Sequence, residues 1–196
     1  MDASSEKARQ FKAAFVDLVT QFGLAKSYGL AQIRQTPALP TGYVFLETEE
    51  LDRTLRVRLV PRDNVLGGVQ SVWRVQADAN GSSHFVAIQP CVHAGVDASN
   101  AMHPDDAAGT AREAFARAFR ELVLAHGVDD GFALARVHRH FDMTDDEVLV
   151  ESSAAADELR IQVVPRSSIQ GEEPIQWRVD DSWDSGLRPV QYLSPC

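Results

Sequence analysis

The fold is decided by an eight-residue stretch, LRVRLVPR at residues 55–62, which recurs as LRIQVVPR at residues 159–166. In the first copy, apolar and charged residues alternate, a pattern typical of a strand with one buried face and one solvated face. Proline cannot donate a hydrogen bond to a neighbouring strand, so the proline in each copy marks the end of a strand. The triplet WRV at residues 73–75 also recurs, at residues 177–179.

The same shift of 104 residues aligns most of the chain with itself. Between Ser5 and Val92, 20 of 88 positions are identical to their counterparts without a gap. We therefore predict a tandem duplication, because self-similarity at a fixed spacing indicates a repeated structural unit. The predicted domains are a first repeat at 1–92, a linker at 93–109 without periodicity, and an acidic second repeat at 110–196.

Each repeat opens with a predicted helix that carries one apolar stripe. Phe11, Phe15 and Val19 recur at helical spacing in the first repeat, and their counterparts do so in the second. Gly23 and Gly127 fit the two helix ends. The strands are predicted at 28–35, 43–48, 55–60, 71–77 and 84–89, and at 132–141, 147–152, 159–164, 175–180 and 188–193. The expected fold class is α+β, with one N-terminal helix packed on an antiparallel four- to five-stranded meander sheet in each repeat.

The net charge of −9 belongs to the second half of the chain. Residues 1–104 contain 10 basic and 10 acidic side chains, whereas residues 105–196 contain 9 basic and 18 acidic ones. This balance disfavours direct binding to nucleic acid, which requires a basic surface. No apolar run is long enough to cross a membrane, no signal peptide is recognisable, and two cysteines do not make a disulfide scaffold. We therefore expect a cytoplasmic protein without a nucleic-acid or membrane partner.

Acidic residues of the second repeat concentrate in loops between predicted strands. In an up-and-down meander the loops at 142–147 and 167–174 would share one edge of the sheet, and the matched loops of the first repeat contain a single acid. The fold does not require this charge, so we expect the edge to dock a basic protein partner. The alternative is a solvated surface that serves solubility. The predicted partner-binding residues are Asp142, Asp145, Asp146, Glu147, Glu172 and Glu173.

A second candidate site is the triplet His138-Arg139-His140. Residues two apart on a strand face the same side, so His138, His140 and Asp142 could converge on a metal ion. No further ligand is placed by the sequence, and a polar strand face explains the same residues. Our expectation is therefore that the protein holds no metal or other cofactor.

Two further features are shared by the repeats. Arginines recur at 56/160, 62/166 and 74/178, and a glutamate recurs at 47/151. We expect Arg56 and Arg74 on the outer face of neighbouring strands, as structural charge pairs or as a duplicated anion site. Trp73 and Trp177 are expected in the core. Cys91 and Cys196 end their repeats, and whether they pair is open.

The functional expectation follows from charge placement and from missing motifs. The chain has no P-loop, no dinucleotide-binding glycine motif, no zinc-protease helix and no nucleophile elbow. In size, charge and layout, though not in motif, it resembles bacterial toxin-immunity proteins and secretion chaperones. That resemblance implies a non-enzymatic inhibitor or chaperone-like protein that docks a basic partner, such as a toxin or secreted effector. The alternatives are a small-ligand-binding protein that uses a cleft between the repeats, and a metal-dependent enzyme that uses His138, His140 and Asp142.

Overall fold

Two helices and eleven strands make up the computed structural model, which describes residues 3–33, 40–65, 72–88, 91–93, 111–137, 141–155 and 158–194. The helices are α1 (Ala3–Gln21) and α2 (Ala111–His126). The strands of the first half are β1 (Tyr28–Gln32), β2 (Tyr43–Glu50), β3 (Thr54–Pro61), β4 (Val72–Ala77), β5 (Ser83–Ala87) and β6 (Cys91–His93). Those of the second half are β7 (Phe132–Arg136), β8 (Glu147–Ala155), β9 (Glu158–Pro165), β10 (Glu173–Val179) and β11 (Leu187–Leu193).

Both helices follow the predicted apolar stripe. Phe11, Phe15 and Val19 of α1 are fully buried, as are their counterparts in α2. Gly23 and Gly127 follow the helices with φ of +67° and +60°, the left-handed conformation that ends a helix most readily at glycine. Burial of each large apolar side chain stabilises the fold by about 1.5–3 kcal/mol. The two helices pack on each other and on one face of the sheet.

All eleven strands belong to one sheet, in the order β5-β4-β7-β1-β10-β11-β8-β9-β3-β2-β6. The overall class is α+β, as expected, and most strand pairs are antiparallel. The predicted meander is not confirmed. Consecutive strands form the hairpins β2–β3, β4–β5, β8–β9 and β10–β11, but β11 runs parallel to β8. Strand β1 of the first half lies between β7 and β10 of the second half.

Counterpart positions of the two halves meet in this sheet. Leu30 pairs with Leu134 where β1 meets β7, and Arg56 pairs with Arg160 where β3 meets β9. Each of these pairs joins residues that are 104 apart. Strands of the two halves are therefore interleaved in the single sheet.

The close approach of β1 and β10 requires a glycine. A Cβ atom at Gly29 would lie 2.2 Å from the Trp177 carbonyl oxygen, closer than any side chain allows. Leu30 pairs with Trp177 here, and their counterparts, Leu134 and Trp73, pair where β7 meets β4. Both tryptophans are buried, as predicted.

The two edge strands of the sheet are near neighbours in the chain. Strand β5 ends at Ala87 and β6 begins at Cys91, so four residue steps connect the two edges. Such a segment spans no more than about 14 Å. The sheet is therefore curled, and its inner face encloses a space. No helix among the described residues is both long and apolar enough to span a bilayer.

Candidate functional site

The inner face of the curled sheet encloses a cavity of about 340 Å³. Nine strands contribute side chains to its lining. One wall, the alanine wall, consists of Ala31, Ile33, Val72 and Ile88, which pack in one cluster with Ala133 and Ala135. The opposite wall is larger and apolar, and consists of Phe45, Leu55, Val57, Phe141, Leu149, Leu159 and Ile161.

The cavity lies between the two halves of the chain. Most of its lining consists of residues that are 104 apart in the sequence. These counterparts are 32/136, 33/137, 45/149, 47/151, 55/159, 57/161, 72/176 and 74/178. Neither half could enclose this space alone.

Charged side chains interrupt the apolar lining. Glu47 and Glu151 are buried, and the Gln191 side-chain amide donates to the Glu151 carboxylate at 3.1 Å. Four arginines also reach the lining, namely Arg74, Arg136, Arg178 and Arg188. A mostly apolar cavity with a few fixed polar groups is the usual form of a small-ligand site.

Two cavity arginines of the second half, Arg178 and Arg188, are neutralised by acids of the same half. Arg188, the most deeply buried arginine of the described residues, lies 2.6 Å from the Asp145 carboxylate and 3.4 Å from that of Asp180. Arg178 lies 3.5 Å from each of the same two acids. The hydrogen bond from Arg188 holds the pKa of the Asp145 carboxyl below its ordinary value.

A second ion pair joins the two halves beside the cavity. Arg53, with a positive φ of 58° in the β2–β3 turn, donates two hydrogen bonds to Glu147, at 2.7 and 3.0 Å. The Thr144 backbone amide donates to the same carboxylate. Because of these hydrogen bonds, the pKa of Glu147 falls from 4.5 to about 2. The pair holds the end of segment 141–146, whose Phe141 and Met143 line the cavity.

The six predicted partner-binding acids do not form one free patch. Asp142, Asp145 and Asp146 are all exposed, but Asp145 and Glu147 are already engaged by arginines. Glu173 pairs with Leu193 across β10 and β11, and Leu193 in turn pairs with Glu151. Glu173 therefore lies at the level of Glu151, roughly 13 Å along the strand from Glu147. Glu172 lies next to Glu173 and accepts a hydrogen bond from the Gln170 backbone amide.

The remaining predicted residues divide into placed and unplaced. Residues 138–140 lie outside the described part of the chain, as do Cys196 and the side chain of Cys91, so the metal and thiol hypotheses stay predictions. Among the described residues, no three His, Cys, Asp or Glu side chains are grouped to hold a metal. The expectation that Arg56 and Arg74 lie on neighbouring strands is wrong, because β3 pairs with β2 and β9 whereas β4 pairs with β5 and β7.

Two parts of the site were missed by the sequence reasoning. The alanine wall lacks a chemical signature, and the burial of Arg188 depends on a parallel pairing of β11 with β8. The recurrence of Glu47/151 and Arg74/178 was the available signal, since all four residues line the cavity.

Comparisons with known proteins add no relative. No protein-family model matches the sequence, and searches of curated proteins and of solved structures give no significant match.

Proposed function

We propose that the protein binds a small organic ligand in the cavity between its two halves. The observation that carries this proposal is a cavity of about 340 Å³ lined mainly by apolar side chains from both halves. The volume falls at the lower end of the range for small-ligand sites, which is about 300–1,000 Å³. A filled core would be more stable, because each unfilled space removes packing contacts.

We further propose that the two halves arose by duplication of one α+β module. The support is the ungapped repeat in the sequence together with the pairing of counterpart residues, Leu30 with Leu134 and Arg56 with Arg160. The cavity would then have formed only when the two copies were joined in one chain.

Binding without catalysis is the simpler form of this proposal. The described lining contains no histidine, cysteine, serine or lysine, and its ionisable side chains are glutamates and arginines. Of the three glutamates in the lining, Glu47 and Glu151 are buried, Glu151 accepts a hydrogen bond from Gln191, and Glu147 accepts two from Arg53.

A cavity-filling variant tests ligand binding. Ala31→Phe puts a large side chain into the cavity wall, and Ala13→Phe makes the same change at an exposed position of α1. Native mass spectrometry of protein purified under mild conditions should detect a bound small molecule in the wild type and in Ala13→Phe, and a reduced fraction in Ala31→Phe. Equal ligand occupancy in Ala31→Phe would contradict the proposal, provided that circular dichroism shows both variants folded.

A second candidate function is docking of a basic protein partner, in the manner of an immunity-type inhibitor or a chaperone. The specific observation is that Asp142 and Asp146 are exposed, and that the Asp146 carboxylate has no partner within the described residues. Such docking would weaken with added salt and with the double change Asp142→Asn and Asp146→Asn. Binding of a basic partner that is indifferent to both would exclude the acidic surface as the interface.

A further inference from the structure

Arg74 and Arg178 occupy counterpart positions in the cavity but have different surroundings. Arg178 of β10 pairs across the hairpin with Arg188, and both are held by Asp145 and Asp180. Arg74 of β4 pairs across its hairpin with Val86. The residue two places beyond Arg74 is Gln76, where the second half has Asp180. Arg74 and Arg178 therefore match in the sequence repeat but differ in the residues that surround them.

The Arg74 guanidinium has little to bind within the described part of the chain. Its Nε is buried without a hydrogen-bond partner, and its one hydrogen bond is a long one of 3.5 Å to the Gln76 side-chain oxygen. No carboxylate lies within ion-pair distance of it among the described residues. A partly buried guanidinium in this state has unused donors and an unbalanced charge.

Of the three glutamates in the lining, Glu147 is bound by Arg53, and Glu151 is displaced along the strands from Arg178, the counterpart of Arg74. In the second half, Glu151 is level with Leu193 and Arg178 with Arg188, five residues or roughly 16 Å apart along β11. Within the described lining, Arg74 is thus a positive charge without an acidic partner, in a cavity whose other lining is mainly apolar.

We propose that the cavity ligand is an organic monocarboxylate with an apolar body, and that its carboxylate binds Arg74. This inference rests on the proposed ligand-binding function. A carboxylate matches the planar fork of one guanidinium with two parallel hydrogen bonds. One arginine balances one negative charge, which disfavours a dianionic phosphate. The apolar body would lie between the alanine wall and Leu55, Val57 and Ile161.

The test compares two nearly isosteric probes, octanoate and octanamide, by isothermal titration calorimetry. The wild type should bind octanoate at least about tenfold more tightly, since a hydrogen bond to a charged group contributes enough for that factor. Arg74→Met should abolish this preference by weakening octanoate binding while leaving octanamide binding unchanged. Arg178→Met is the matched control and should retain the preference, because Arg178 already has two acidic partners.

Each outcome bears on a different statement. Equal affinity for the two probes in the wild type, or a preference lost in Arg178→Met and kept in Arg74→Met, overturns the assignment to Arg74 and leaves the ligand cavity standing. Absence of binding by either probe, together with no ligand in native mass spectrometry, overturns both the assignment and the proposed function. Equal loss of both probes in Arg74→Met identifies Arg74 as a structural residue and also overturns the assignment.

Discussion

Arg74 and Arg178 occupy counterpart positions in the two halves of the molecule but have different partners. In the second half, Asp145 and Asp180 neutralise Arg178 and Arg188, and the cluster ties segment 141–146 to β10 and β11. In the first half, Arg74 lines the cavity with no acid beside it among the described residues. Part of the acidic excess of the second half is therefore used for ion pairs within the protein. Several acids of the second half hold the structure together, and fewer remain for an external partner than their number suggests.

The largest expected effect concerns the buried Arg188 of the second half. Arg188→Met removes the partner of two acids and should lower the free energy of unfolding by about 2–3 kcal/mol, because Asp180 loses its charged hydrogen bond in a partly buried place. Urea denaturation followed by circular dichroism measures it. A loss below about 0.5 kcal/mol would show that the cluster does not stabilise the second half.

A single substitution can give Arg74 the kind of acidic neighbour that Arg178 has in the second half. Gln76→Glu is nearly isosteric and places a carboxylate next to Arg74, where the side-chain oxygen already lies 3.5 Å away. Octanoate affinity should fall about tenfold, because Arg74 then has an internal partner and must exchange it for the ligand. Octanamide affinity should not change. Unchanged octanoate affinity in calorimetry would show that ligand binding does not depend on whether Arg74 has an acidic partner.

A smaller effect is expected where the halves meet on the outer face. Arg56 lies 3.1 Å from Glu158 and 3.5 Å from Glu50, but its side chain is 38% exposed. Arg56→Met should cost less than about 1 kcal/mol, as exposed ion pairs usually do. It is also the control for Arg188→Met in the same urea experiment. Equal losses in the two variants would show that burial does not determine how much each arginine stabilises the fold.

The smallest effect is a change in pH dependence. The folded-state pKa of Glu147 is about 2, below its ordinary 4.5, because Arg53 donates two hydrogen bonds to it. The pair therefore stabilises the fold above pH 4.5, and this contribution is lost as the pH falls from 4.5 to 2. Glu147→Gln should flatten the decline of the urea midpoint in that window, whereas Asp146→Asn should not. Identical acid limbs for Glu147→Gln and the wild type would show that the pair contributes nothing.

The local structure was largely predictable from the sequence. Both helices, their terminal glycines and the approximate place of almost every strand follow from apolar periodicity and from the strand-ending prolines Pro61 and Pro165. Pairing was less accessible. Periodicity fixes which face of a strand is buried but not which strand lies beside it, and the alternation around Leu55 fits β9 as well as β4.

The site could be predicted only in part, for the same reason. The recurrence of Glu47/151 and Arg74/178 marked residues that line the cavity, but their meeting depends on strand exchange between the halves. The prediction of one acidic edge depended on a meander in the second repeat. In the observed order Glu173 lies beside Leu193, far along the strands from Glu147.

The most direct test of the central claim is a methyl NMR titration of the isotope-labelled protein with octanoate. We predict saturable shifts for methyl groups that line the cavity, those of Ala31, Leu55, Val57 and Ile161, and none for Val19 and Val123 between the helices and the sheet. Shifts that fail to saturate, or that are absent from the cavity methyl groups, would contradict a ligand site between the two halves.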